Sequence, residues 1–281
     1  MNASPLYTLL LRQHGVSGVY AIGRVQTPTL YMVCQRDQLI KNFKPEPYLE
    51  LNAEILAHQQ KFETKLDSYQ RFKDEKGLTI FMQAKNVQRG PQAALIKAVQ
   101  NAVKKTPSPR LFSLSSLQSA VNQRFHASET LAVVQALYEA KGLTYPRADS
   151  EYLTKQEFDY LAANLDQYQE LLPKKIALPQ TTPQKRYVND QKVTEHPAII
   201  MTKVVTSSTQ LAKSPVLQRQ VYDLVLKTTL AMFAAPYEYT ETTIITQVGQ
   251  ALFKSVGKVP INPGWQRLLK AKSVGGKTRY P

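Results

Sequence analysis

Hydrophobic periodicity changes twice along this chain, from the alternation of strands to the spacing of helices and back, and that order restricts the folds open to it. From Tyr48 onward, Leu49, Leu51, Ala53 and Ile55 alternate with Glu50, Asn52 and Glu54, and Phe62, Thr64 and Leu66 follow, which predicts an antiparallel hairpin. Beyond a polar, basic stretch around Lys104 to Arg110 the spacing becomes helical. Leu117, Val121 and Phe125 share one face, and Ser128 is placed to cap a helix that ends before Gly142. A capping box from Thr154 to Glu157 opens the best helix, whose Phe158, Leu161, Leu165, Tyr168 and Leu172 form a core stripe. Pro173 to Val193 is rich in proline and polar residues and reads as an exposed loop. Another helix starts at Ser214 and Pro215, sets Leu217, Val221, Leu224 and Thr228 on one face, and stops near Pro236. Thr242 to Val248 and Leu252 to Val256 then read as strands. Before all of this, Thr27 is placed to cap a helix that Pro28 opens and that runs to about Leu39.

Strands, helices, then strands predict a multidomain α and β fold in which a helical domain is inserted into a β-rich one. The expected divisions are residues 1–46, an opening segment; 47–108, the first part of the β-rich domain; 109–236, the helical domain; 237–270, the return strands; and 271–281, a basic tail. No internal repeat is visible.

Charge narrows the partners. Lysine and arginine total 36 against 21 acidic residues, a net charge of +15, which points to a polyanion. No apolar run approaches the roughly 20 residues needed to span a bilayer, and the positive charge is not gathered on one amphipathic helix, so nucleic acid is favoured over membrane. Met1 to Leu11 has neither a basic leader nor a small-residue cleavage site, which argues against a signal peptide and for a cytoplasmic protein. A single cysteine, Cys34, excludes an internal disulfide and a cysteine-rich zinc cluster.

Three segments carry groups suited to phosphate chemistry. In Thr144-Tyr145-Pro146-Arg147-Ala148-Asp149 the proline biases Tyr145 toward extended backbone, where residues two apart point to one side, so the Tyr145 hydroxyl and Arg147 guanidinium would face a common ligand. A phosphodiester suits both. Arginine offers a planar fork of donors, whereas a tyrosine phenol, with a pKa of about 10 in a model peptide, needs nearby positive charge or a proton acceptor to become a nucleophile. In Gly23-Arg24-Val25-Gln26-Thr27-Pro28 the glycine admits close backbone approach and a helix N-terminus offers amides to an anion. In Glu195-His196-Pro197-Ala198-Ile199-Ile200 the histidine stands where a polar loop meets an apolar stretch. Each segment alone has a plainer explanation: one of 15 tyrosines at a half-wet surface, an ordinary capped helix with a solvated arginine, and a histidine bonded within a packed boundary.

Together, and in this order, they resemble the type IA DNA topoisomerases, in particular the bacterial topoisomerase III branch. That family carries Ser-x-Gly-Arg-Val-Gln-Thr-Pro, a Leu-Tyr-Glu helix leading into Thr-Tyr-Pro-Arg-Thr-Asp, and a later His-x-Ala-Ile-Ile-Pro-Thr. Further similarity covers Asn2-Ala3-Ser4, Ser115-Ser116-Leu117-Gln118 and the strand-rich end through Trp265. The resemblance implies an arch in which the β-rich segments form a hinge and the helical domain bears Tyr145 as the nucleophile. Tyr145 would attack a backbone phosphate of single-stranded DNA, leaving a 5′-phosphotyrosine link that is later resealed without ATP. Arg147 and His196 would act on the scissile phosphate, and Arg24, Gln26 and Thr27 would hold the strand, with Ser116, Gln118 and Asp149 as further DNA contacts. The family's Mg2+ is held by a glutamate and an Asp-x-Asp pair in an amino-terminal Toprim domain. This sequence contains no Asp-x-Asp, so it is expected to lack that domain and the metal ligands, which a Toprim domain acting in trans could supply. Ala21, Ala148 and Met201 stand where the family pattern has serine, threonine and proline. A monomer is expected.

The chief alternative is a non-catalytic module that binds single strands on a basic, aromatic surface. A tyrosine recombinase would need a His-x-x-Arg element before its tyrosine, which is missing. A P-loop starting from Gly275-Gly276-Lys277-Thr278 lacks its first glycine, because Ala271 holds that place, and has no room for a following helix.

Overall fold

The computed structural model describes residues 3–57, 59–193, 195–204 and 206–269. Asn2, the basic tail 271–281 and the glycine pair at 275–276 lie outside these. In chain order the elements begin with α1 (Ser4–Gln13), α2 (Gln26–Lys41), β1 (Leu49–Glu50), β2 (Asn52–Ala57), β3 (Gln60–Leu66), β4 (Arg71–Phe72), α3 (Glu75–Ala84) and β5 (Ala94–Thr106). There follow α4 (Leu114–Phe125), α5 (Thr130–Glu139), α6 (Lys155–Ala163), α7 (Leu165–Gln169), α8 (Ser208–Lys213), α9 (Val216–Phe233), β6 (Tyr237–Val248), β7 (Ala251–Asn262) and α10 (Gln266–Leu269). They form two compact units, one of Met1–Leu51 with Gln70–Met82 and one of Asn52–Tyr69 with Gln83–Pro281.

In the second unit one antiparallel sheet runs in the order β2-β3-β7-β6-β5. Its strands come from both ends of the unit, and β5 lies against β6 from Ala94↔Val248 to Thr106↔Tyr237. Everything between Thr106 and Tyr237 is therefore an excursion from two paired strands, as the change in periodicity predicts. Trp265 ties the exit to the entrance, its indole N–H donating to the Thr106 carbonyl at 2.9 Å. The hairpin between β6 and β7 closes through Gly249 and Gln250. Gly249 has φ +58, and a Cβ there would lie 2.2 Å from the Asn86 carbonyl oxygen, so only glycine fits.

The inserted segment packs around α9, which is buried almost all round from Val221 to Phe233. Such a helix has no solvent face to pattern. The predicted stripe of Phe158, Leu161, Leu165, Tyr168 and Leu172 belongs to this core, and Phe158 stacks on Phe233 with ring centroids 5.1 Å apart. Each fully buried side chain of this size contributes about 1.5–3 kcal/mol.

Several local expectations are corrected. The stripe is carried by α6, by α7 and by Leu172 just after it, because the chain breaks at Asn164, whose side-chain amide donates back to the Tyr160 carbonyl at 2.7 Å. Thr154 does cap, in a full capping box with Glu157. Ser128 does not, since α5 begins after Glu129 without a side-chain cap. Pro173 to Val193 has a short 3₁₀ turn at Asp190–Lys192 and is anchored: Tyr187 is buried, with its hydroxyl 2.7 Å from that of Ser108. The basic stretch at Lys104 is the end of a 13-residue strand, β5, whose exposed positions hide the alternation a half-buried strand would show.

In the first unit, β1 and β4 form a two-stranded ladder and Phe72 packs on Phe81 at 5.1 Å. The Thr8 hydroxyl accepts from the Tyr20 N–H at 2.9 Å and the Ser4 hydroxyl from that of Ile22, binding the loop after α1 to that helix. α2 begins two residues earlier than expected. Thr27 is not its cap. Its hydroxyl instead accepts from the Gly23 N–H at 3.1 Å, and Pro28 falls in the first turn, where its missing N–H leaves nothing unpaired.

Candidate active site

Tyr145 owes its position to what comes just before it. α5 ends in a tight exit, with Lys141 at φ +59 and the Gly142 N–H donating to the Leu137 carbonyl at 2.8 Å. The chain then runs beside the segment from His196 to Thr202. Leu143 bridges Met201, the Thr144 N–H donates to the Ile200 carbonyl at 2.9 Å, and the Thr144 hydroxyl both donates to Ala198 and accepts from Ile200. Further along, the Ala198 N–H donates to the Tyr152 carbonyl at 2.9 Å and the Leu114 N–H to the Ala148 carbonyl at 2.8 Å. The tyrosine segment is thus bonded at both ends to the histidine segment, and its middle to the start of α4.

The histidine segment is held in turn from its other side. The Tyr160 hydroxyl donates to the Met201 carbonyl at 2.7 Å and the Tyr168 hydroxyl to the Thr202 carbonyl at 2.6 Å. Burial pushes both phenols above the ordinary tyrosine range, so they stay protonated as donors.

The result is an aromatic cluster around the half-buried Tyr145. Its ring lies 4.2 Å from that of His196, inclined at 44°, and 5.6 Å from Tyr138 in an edge-on contact. Of the predicted residues, Tyr145 and His196 are brought into contact. Arg147 and Asp149 are exposed close by in sequence, but Pro146 and Arg147 form a turn rather than continuing an extended strand, as the fixed proline φ favours at a turn's second position. Alternation therefore does not place Tyr145 and Arg147 on one side. Among the described residues no hydrogen bond or ion pair engages the Arg147 guanidinium, leaving its donors available to an anion.

Gln118 is exposed on α4, while the Ser116 hydroxyl accepts from the Ser113 N–H at 3.0 Å as part of that helix's capping box. Arg24, Gln26 and Thr27 belong to the first unit, exposed where α2 begins. Gly23 has an ordinary φ and room for a Cβ beside Gln26, so the fold itself does not require glycine there. Ala148 is buried, its carbonyl accepting from the Leu114 N–H at the start of α4, and Met201 is wholly enclosed. Tyr138 joins the site through its edge-on contact with Tyr145, being neither a cation nor a predicted nucleophile. Its signal was present in Leu137-Tyr138-Glu139, the counterpart of the family's Leu-Tyr-Glu.

Among the described residues no group of three or more His, Cys, Asp or Glu is placed to hold a metal ion. The described residues do not fit an acidic magnesium site. No helix among them is long and apolar enough to cross a membrane.

The family model described as DNA topoisomerase matches residues 1–279. DNA topoisomerase 3 of Bacillus licheniformis is 35% identical over 252 residues, covering 87% of this chain and 34% of that protein. The same enzyme of Bacillus subtilis is 34% identical over 255 residues, again covering 87% and 34%. The solved structure of full-length topoisomerase I from Thermotoga maritima shares the fold, with a TM-score of 0.66 at 22% identity over 94% of this chain and 43% of that one. The chain spans about a third of the length of the curated relatives it matches. With a family model matched along nearly its whole length, the chain belongs to the type IA DNA topoisomerase family.

Proposed function

We propose that this chain carries the strand-cleaving tyrosine of a type IA topoisomerase and that single-stranded DNA is its substrate. The carrying observation is Tyr145 held in ring contact with His196 on two cross-bonded segments. In the reaction the Tyr145 oxygen attacks a backbone phosphorus and loses its proton. The bond to the 3′ oxygen breaks, and that oxygen takes up a proton as a free hydroxyl. The phosphodiester has been exchanged rather than hydrolysed, so the 3′ hydroxyl can attack in reverse and reseal the strand with no ATP. Another strand passes in between, which relaxes or unlinks DNA.

Arg147, with free donors beside Tyr145 in sequence, pairs with the scissile phosphate and offsets the charge that builds there. His196 keeps the tyrosine ring oriented and presents a ring N–H to a phosphate oxygen. Arg24, Gln26, Thr27, Ser116, Gln118 and Asp149 bind the flanking strand, mostly through its backbone. Magnesium in the whole enzyme would supply further charge neutralisation, held by the carboxylates of a Toprim domain, here acting in trans. The chain acts as a monomer in the cytoplasm. The rival reading, a strand-binding module without chemistry, rests on the net charge of +15 and the aromatic side chains, which suit a single strand without any cleavage.

The experiment mixes the chain with a labelled single-stranded oligonucleotide and Mg2+, with and without a separately made Toprim domain from a relative, and looks for a denaturant-resistant adduct. An adduct that is lost in Tyr145→Phe establishes the nucleophile. Strand binding with no adduct in either mixture leaves the binding module.

A further inference from the structure

Arg110, Tyr152 and Lys192 form a cluster that the cleavage chemistry does not use. Arg110 donates to the Tyr152 hydroxyl at 2.7 Å and Lys192 at 3.4 Å, and each cation also lies 5.0 Å from the centre of that ring. Cations elsewhere on the surface meet carboxylates directly, as Lys105 meets Glu238 and Lys61 meets Glu54, each at 2.8 Å. Here two cations share an uncharged phenol, and the nearest carboxylate among the described pairs, Glu151, lies 3.9 Å from Arg110 at the edge of an ion pair. A phenol and a ring face orient cations without neutralising them, so the cluster keeps positive charge, held in one place, with spare N–H donors.

The cluster is also rooted in the site. The Tyr152 carbonyl accepts from Ala198, two residues after His196, and the Ser150 hydroxyl joins the Tyr152 N–H to the Lys192 carbonyl. Seven residues separate Tyr152 from Tyr145, a span of at most about 25 Å, which a short single strand covers. We propose that Arg110 and Lys192, oriented by Tyr152, form a binding subsite for a backbone phosphate of the DNA strand whose cleavage Tyr145 performs. The inference rests on the proposed function for its ligand. Consistent with it, the hydrogen bond from Lys192 and the charge of Arg110 hold the Tyr152 phenol below its usual range. Tyr152 is a positioning residue here, while the two cations touch the phosphate.

The test measures binding of the full chain to a labelled oligothymidylate of about fifteen nucleotides across a salt series. One phosphate contact on a single strand is worth a slope of about 0.7 in log affinity against log salt, hence about fivefold in affinity near 0.1 M salt. Arg110→Gln with Lys192→Gln should lower both by that much, and Arg110→Lys with Lys192→Arg should restore them. Lys104→Gln with Lys105→Gln removes the same charge from the sheet and should leave the slope unchanged. An unaltered slope in the cluster variant, or an equal loss in the sheet variant, overturns the subsite. Wild-type protein that binds strongly and forms the Tyr145 adduct in those same experiments leaves the proposed function standing, whereas wild-type protein that does not bind single strands defeats both.

Discussion

α2 and α9 are both long helices rich in apolar residues, and their surroundings are opposite. None of the α2 residues is buried, and Leu30, Tyr31, Met32, Val33, Leu39 and Ile40 are each between 59 and 68% exposed. In α9 eleven residues are buried, including Leu230 and Phe233 with no exposed surface. Apolar content states that a helix needs cover; only long-range packing states what provides it. α9 finds its cover within its own unit, against α5 and α10. A helix of 16 residues with no packed face depends on its own hydrogen bonds and is marginal in water.

The sharpest way to break this contrast is to empty the α9 core. Phe233→Ala removes a fully buried ring that stacks on Phe158 and should cost about 3–5 kcal/mol in urea unfolding followed by circular dichroism. A cost below about 1 kcal/mol would mean that the ring has room to be replaced and that the core is loose.

A second test uses the buried phenols, which only the second unit has. Tyr168 is wholly buried with a raised pKa, caused first by desolvation and then by the neighbouring Tyr222. A folded-state pKa above the unfolded value means that the unfolded chain loses its proton first. The stabilisation is complete below pH of about 10 and falls as pH rises beyond it, by about 1 kcal/mol per pH unit for each such tyrosine. Tyr168→Phe should therefore flatten the alkaline limb of the stability profile while costing about 1 kcal/mol near neutrality for the lost bond to Thr202. An alkaline limb as steep as that of the wild type would show that the Tyr168 phenol is not held neutral.

These two regions also differ in how well the sequence announced them. The insertion of helices between strands was legible from periodicity, because β6 and β7 and the stripe from Phe158 to Leu172 are half-buried or one-faced and keep their period. β5 was not, since its residues are exposed on both faces and mix Val99 and Val103 with Gln100 and Lys104. Caps were legible where they close locally, as Thr154 does with Glu157, and misread at Thr27, whose hydroxyl bonds back to Gly23, and at Ser128, since α5 starts after Glu129 without a side-chain cap. At the site, Tyr145 and His196 were legible as motifs and their contact was not, because 51 residues of chain separate them and the meeting depends on Thr144 bonding Ala198 and Ile200. Arg110, Tyr152 and Lys192 formed no motif, since three single residues on separate segments have no spacing to read.

The smallest expected effect is the most discriminating for α2. Leu30→Ala deletes an apolar side chain that is 62% exposed. No cavity forms, and alanine has a helix propensity at least as good as leucine's, so urea unfolding should change by no more than about 0.5 kcal/mol in either direction. Backbone amides of α2 should exchange with solvent faster than those of α9, because opening α2 exposes almost no additional apolar surface whereas opening α9 requires the core to come apart. If Leu30→Ala instead cost about 2 kcal/mol, or if α2 exchanged as slowly as α9, the helix would be covered in solution, by another copy or by some part of the chain, and the contrast between the two helices would reduce to one buried helix and another whose cover has yet to be identified.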